Sequence, residues 1–116
     1  MNLSQPMLIC DQNEEFRFLL RDMLTKNGYF HVLEATTSAE AAALILGDKK
    51  DTFVLIDAQI LAGDVLLALS TKKHFIVFNH GQDEATPLLA ARLGVRHLMS
   101  YPFSSAKLVT KINSLV

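Results

Sequence analysis

Phe53-Val54-Leu55-Ile56-Asp57 is the stretch on which the fold turns: four apolar side chains in unbroken succession, then a carboxylate. A strand with one face in water alternates apolar and polar residues, whereas an unbroken apolar run of this length reads as a strand covered on both faces. Met7-Leu8-Ile9-Cys10 and Phe75-Ile76-Val77-Phe78 have the same character. Three such strands predict the middle of a parallel sheet. Two further candidates, Phe30-His31-Val32-Leu33-Glu34-Ala35 and Val95-Arg96-His97-Leu98-Met99, interleave polar residues and read as strands nearer an edge, where one side meets water.

Helical patterns fill the intervals. Phe16, Leu19, Leu20, Met23 and Leu24 recur at i, i+3, i+4, i+7 and i+8 within residues 13–27 and make one apolar stripe. Asp22 and Lys26 form an i, i+4 pair on the wet side, and Gly28 is a natural stop. Ser38 reads as the N-cap of a helix over residues 39–46, closed by Gly47. A short helix follows Asp64. Residues 83–93 predict a fourth helix, with Pro87 in its first turn and Gly94 as its stop. Ser104 or Ser105 caps the last, whose buried stripe is Leu108, Ile112 and Leu115 or Val116. Five strands alternating with five helices predict an α/β fold, a doubly wound parallel sheet with flanking helices on both faces. Three buried strands between two edge strands agree with the flavodoxin-like order 2-1-3-4-5.

A chain of 116 residues is the size of one domain, taken here as residues 1–116, and with 50% hydrophobic residues it can bury a core without staples. Eleven basic residues against twelve acidic ones give a net charge of −1, which argues against a dedicated nucleic-acid or anionic-membrane binder. No apolar run approaches the ~20 residues of a membrane helix, and the start lacks the pattern of a signal peptide. Cys10, the only cysteine, sits in an apolar run and reads as core, so no internal disulfide forms. The expected setting is soluble and cytoplasmic.

In such sheets ligands bind outside the carboxyl ends of the strands, where strand order reverses. The residues at those ends are Asp11-Gln12, Asp57, Asn79-His80 and Ser100-Tyr101-Pro102. Any α/β domain has polar strand ends, so this pattern alone leaves a pocket and a merely solvated rim equally open. The four histidines, His31, His74, His80 and His97, match no zinc spacing and read as solvated strand-end residues. Residues 48–51, Asp-Lys-Lys-Asp, read as a solvated charged turn. Gln12-Asn13-Glu14-Glu15 puts acids where a nucleotide or flavin phosphate would sit, which argues against a dinucleotide site or a flavodoxin.

Met7-Leu8-Ile9-Cys10-Asp11-Gln12-Asn13-Glu14-Glu15-Phe16-Arg17 resembles the opening strand, acidic pair and first helix of response-regulator receiver domains. Residues 52–64 resemble the family's third strand, phosphoacceptor and following loop. Residues 74–103 resemble its fourth strand, its Leu93-Gly94 helix ending, its fifth strand and the Pro102-Phe103 after it. The resemblance implies that Asp57 takes a phosphoryl group from a histidine kinase. It implies that Asp11, Asp57 and the main-chain carbonyl of Gln59 hold Mg²⁺, a hard cation that prefers oxygen ligands. Without the cation, two such carboxylates at ~4 Å repel by a few kcal/mol near a protein surface.

The departures from the family pattern concern the same pocket. Gln12 stands where the second acid is expected, so Mg²⁺ binding should be weak. Asn79 stands for the hydroxyl residue after the fourth strand, Tyr101 for the lysine before Pro102, Leu98 for the switch aromatic and Leu61 for a proline. A phenol can hydrogen-bond an oxygen but carries no positive charge at pH 7. The chain thus resembles an atypical or pseudo-receiver, a signalling phosphoprotein rather than an enzyme. Two readings stay open: a receiver in two-component phosphorelay signalling with a degraded pocket, or a phosphorylation-independent protein–protein interaction module. Both imply protein partners, a histidine kinase or a downstream effector, with no direct nucleic-acid or membrane contact; a homodimer stays open.

Overall fold

The computed structural model describes residues 4–47, 52–61, 63–71, 74–79 and 97–115. The three apolar runs become β1 (Met7–Cys10), β3 (Phe53–Asp57) and β4 (Phe75–Asn79); the mixed ones contribute β2 (Val32–Ala35) and β5 (Leu98–Ser100). All pairings are parallel and the order is β2-β1-β3-β4-β5, as expected. Every residue of β1 and β3 is buried, whereas β2 and β5 at the edges are only partly so. Among the described residues there are four α-helices: α1 (Glu14–Lys26), α2 (Ser38–Gly47), α3 (Asp64–Leu69) and α4 (Ser105–Leu115). The helix expected over residues 83–93, with Pro87 and Gly94, lies outside the described residues, as do His80, Val95 and Arg96.

Because successive strand side chains point to opposite faces, the sheet splits the core in two. Met7, Ile9, Phe53, Leu55, Ile76 and Phe78 pack toward α1 and α4, with Phe16, Tyr29 and Phe103. Leu8, Cys10, Val54, Ile56 and Val77 pack toward α2 and α3 on small or aliphatic residues such as Ala41, Ala42 and Ala68. The α1 stripe is as expected: Phe16, Leu20 and Leu24 are buried, and Leu19 and Met23 pack beside them. Asp22 and Lys26 pair at 3.0 Å on the exposed side.

The boundaries differ in instructive ways. β2 begins at Val32, because the Phe30 and His31 side chains face solvent, although the His31 carbonyl still accepts the Met7 N–H at 2.8 Å. The N-cap of α2 is Thr37, not Ser38: Thr37 Oγ1 accepts the Glu40 N–H at 3.1 Å, and the Glu40 carboxylate reaches back to the Thr36 N–H. Ser38 instead donates to the Ile60 carbonyl at 3.0 Å, tying α2 to the segment after β3. For α4, Ser104 is the cap, its hydroxyl accepting the Lys107 N–H. The backbone at Gly63 takes φ +55° just before α3, a conformation that strains a residue with a Cβ.

Arg21 and Glu34 tie α1 to the edge strand. Arg21 Nη2 lies 2.7 Å from Glu34 Oε2, and the same guanidinium donates to the Val32 carbonyl at 3.1 Å. A carbonyl engaged in this way is withdrawn from the open sheet edge, where it could otherwise template pairing with another chain. No helix among the described residues is long and apolar enough to cross a membrane.

Candidate functional site

β1 and β3 are central strands whose neighbours lie on opposite sides in chain order, so the crevice beyond their carboxyl ends is where this fold places ligands. Asp11 follows β1 directly. Its N–H donates to the Ala35 carbonyl at 3.0 Å, so the ladder holds it although the strand has ended. Its carboxylate Oδ1 accepts the Asn13 N–H at 2.8 Å, and Asn13 Oδ1 in turn accepts the Phe16 N–H at 2.9 Å to cap α1. Arg17, one turn into that helix, donates from Nη1 to the Asp11 carbonyl at 2.8 Å.

Asp57 is the last residue of β3, opposite Phe78 in the parallel register. A single 3₁₀ turn (Ala58–Ile60) follows, closed by the Leu61 N–H donating to the Ala58 carbonyl and braced through Ser38. Asp11, Gln12, Asn13, Asp57 and Gln59 line one cleft of about 360 Å³. Asp11 is 2% exposed and Asp57 4%, while Gln12 and Gln59 lie at the exposed rim. Two buried carboxylates facing one cleft with further oxygen donors suit a hard divalent cation that keeps several waters. No group of three or more His, Cys, Asp or Glu able to hold a metal occurs among the described residues, and one oxygen of Asp11 is already engaged.

The carboxyl ends of β4 and β5 are different. Asn79 ends β4 buried, its carbonyl accepting the Tyr101 N–H at 3.0 Å. Tyr101, joined to Pro102 by a cis peptide bond, sets its ring edge-on to Phe16 at 5.6 Å and to Phe103 at 5.9 Å. It lines a second cleft of about 540 Å³ with Phe16, Phe18 and Leu19 of α1, not the cleft of Asp11 and Asp57. Leu98, half-buried, and Leu61, buried, pack in the core on the α2 and α3 side. Of the predicted pocket residues, the structure therefore gathers Asp11, Gln12, Asp57 and Gln59 around one cleft and turns Tyr101 toward another.

Cys10 is core, as expected: burial, then the neighbouring charges of Asp11 and Glu40, push its thiol up from 9.0 to about 12. Two histidines depart from the solvated reading. His74 is half-buried, its ring stacked on Phe53 at 6.2 Å, and His97 is half-buried just before β5, its carbonyl accepting the Val77 N–H. Sequence reasoning missed Asn13 and Arg17. The Asp-x-Asn spacing before a helix is a legible turn-and-cap signal. Arg17 was not legible, because its second partner, Glu34 at 3.2 Å, lies on another strand.

The sequence matches no protein-family model and no curated protein. Solved structures do match. Full-length FixJ from B. japonicum is 17% identical over 96% of this chain, with a TM-score of 0.79; the chain spans 57% of its length. The receiver domain of a sensor histidine kinase from Pseudomonas aeruginosa, solved with a magnesium ion coordinated in its active-site cleft, is 15% identical over 97% of both chains, with a TM-score of 0.80. A response regulator receiver domain protein from Clostridium thermocellum is 20% identical over 96% of this chain and 93% of its own, with a TM-score of 0.79. With its parallel 2-1-3-4-5 sheet, the chain has the fold of a response-regulator receiver domain.

Proposed function

We propose that this domain accepts a phosphoryl group on Asp57 in two-component signal transduction, through a cleft that handles cation and phosphate weakly. The observation that carries the reading is the pair of buried carboxylates, Asp11 and Asp57, lining one cleft at the strand-order reversal. In the transfer, an Asp57 oxygen forms a bond to the donor phosphorus. The bond from phosphorus to the donor breaks, and the leaving group, a kinase imidazole or acetate, departs with the electron pair. Asp11, Asp57 and the Gln59 carbonyl would hold Mg²⁺, as a cleft does in the Pseudomonas aeruginosa receiver. When bound, the cation supplies positive charge against the phosphoryl oxygens. Gln12 leaves one fewer negative charge for it, and Tyr101 supplies no ammonium. The partners are a histidine kinase and a downstream effector, in a cytoplasmic setting, and the domain turns over no substrate of its own.

One observation favours a second reading, a phosphorylation-independent interaction module. Tyr101 is packed edge-on against Phe16 and Phe103 and is 37% exposed beside α1, as an aromatic serving packing or a partner would be. Mass spectrometry after incubation with acetyl phosphate and Mg²⁺ separates the two. The first reading expects a low yield of label, on Asp57 alone and absent from Asp57→Asn. Label that survives Asp57→Asn removes Asp57 from the role, and a wild-type chain that takes no label leaves the second reading.

A further inference from the structure

We propose that Arg17 is a positioning residue for the Asp11 carboxylate, braced from the edge of the sheet by Glu34; this rests on the phosphoacceptor reading. Asp11 stands where the chain leaves β1 and turns into α1, and its carboxylate direction depends on the backbone at that turn. Two bonds hold it. The Asn13 N–H donates to Asp11 Oδ1 at 2.8 Å, and Arg17 Nη1 donates to the Asp11 carbonyl at 2.8 Å. Arg17 is itself fixed: its Nε donates to Glu34 Oε1 at 3.2 Å, and its side chain is only 14% exposed. A guanidinium presents several donors in one rigid plane, so bonding a carbonyl and a carboxylate at once fixes its orientation. β2 thereby bears on the cleft through Glu34 and Arg17 although no β2 residue lines it. Groups that orient a metal-binding carboxylate through hydrogen bonds typically change metal affinity or activity roughly 10–100-fold when removed.

Arg21 provides the control. It holds the same Glu34, through Nε at 2.9 Å and Nη2 at 2.7 Å, but its other bond goes to the Val32 carbonyl and not to Asp11. In Arg17→Gln, Glu34 keeps Arg21, so the variant loses no partner that would strand a buried charge. The experiment compares Arg17→Gln, Arg17→Lys and Arg21→Gln in the whole chain by three measurements. These are amide hydrogen exchange of Asn13 without metal, Mg²⁺ titration by amide NMR, and the initial rate of labelling by acetyl phosphate. Arg17→Gln is expected to speed Asn13 exchange and to weaken Mg²⁺ binding or slow labelling by about tenfold or more. Arg17→Lys, which keeps one donor, recovers part of this. Arg21→Gln lowers the melting temperature comparably but leaves cleft binding and labelling within about twofold of wild type. Equal losses from Arg17→Gln and Arg21→Gln would reduce Arg17 to a stability contact and overturn the proposal. If the wild type takes neither Mg²⁺ nor label, the phosphoacceptor reading fails, and Asn13 exchange alone decides the positioning: unchanged exchange in Arg17→Gln overturns it.

Discussion

The carboxyl ends of β1 and β3 and those of β4 and β5 belong to one rim, yet they have been put to different uses. At the first pair, Asp11 and Asp57 are acids at the ends of fully buried strands, held by ladder bonds, a side-chain turn and Arg17 around a shared cleft. At the second pair, Asn79 and Tyr101 carry no charge, and the Tyr101 ring has joined Phe16, Phe78 and Phe103 in an aromatic group between α1 and the sheet. Burying a carboxylate without compensation is costly, so acids kept inside a fold imply a compensating ligand or bond. Burying an aromatic edge is favourable by itself. The first half of the rim holds buried carboxylates, and the second half packs aromatic rings.

Removing the centre of the aromatic group is the strongest way to break that contrast. Phe16→Ala deletes a 6% exposed ring that contacts Phe78, Tyr101 and Phe103. It should cost about 3–5 kcal/mol in urea unfolding. A loss under about 1 kcal/mol would mean that the group is loosely packed and that Tyr101 is not held by it.

Restoring charge tests the other side of the contrast. Tyr101→Lys should raise Asp57 labelling roughly tenfold, the equivalent of the ~1.5 kcal/mol that a charge-assisted hydrogen bond contributes. Adding Asn79→Thr and Gln12→Asp should raise it further, while Leu98 keeps the gain partial. A triple variant that stays unlabelled would end the receiver chemistry and leave the fold alone.

The smallest effect separates Cys10 from its neighbour Asp11, since the thiol belongs to the core and the carboxylate to the cleft. The Cys10 pKa is raised by folding, from 9.0 to about 12. The unfolded chain therefore releases this proton first as pH rises, and the folded state is favoured less. The contribution is intact below pH 9 and is lost progressively as pH rises from 9 toward 12. Tyr29, whose phenol burial also raises, adds to the same alkaline trend. Urea unfolding at pH 8 and at about one to two units higher should show the loss in wild type and a flatter slope in Cys10→Ala. Equal slopes would place the Cys10 thiol in contact with water.

The legible part of this protein was the part written in local order. Unbroken apolar runs identified β1, β3 and β4, and the 3.6-residue stripe identified α1, because burial on two faces or on one stripe leaves its period in the chain. Asp11 and Asp57 were legible as acids ending apolar runs, and it was the resemblance to receiver domains that singled them out among the polar strand ends. The errors fell where two neighbouring residues could do the same job. Thr37 and Ser38 both carry a hydroxyl suited to capping α2, and only the docking of Ser38 onto the Ile60 carbonyl assigns the cap to Thr37. His74 looked like a solvated strand end until Phe53 of the adjoining strand came beneath its ring.

By itself the sequence determined the α/β class, the buried and edge strands, and the acids at the rim, since each follows from what a residue and its near neighbours can leave in water. Only the tertiary structure decided which rim residues share a cleft. Asp11 and Asp57 lie far apart in the chain and meet because β1 and β3 pair in register, Cys10 beside Ile56. Tyr101 turns away because Phe16, from the opposite end of the sequence, gives its ring an apolar edge to pack against. The partnership of Arg17 with Glu34 has the same origin, for hydrogen bonds and ring contacts act over a few ångströms of space and take no account of separation along the chain.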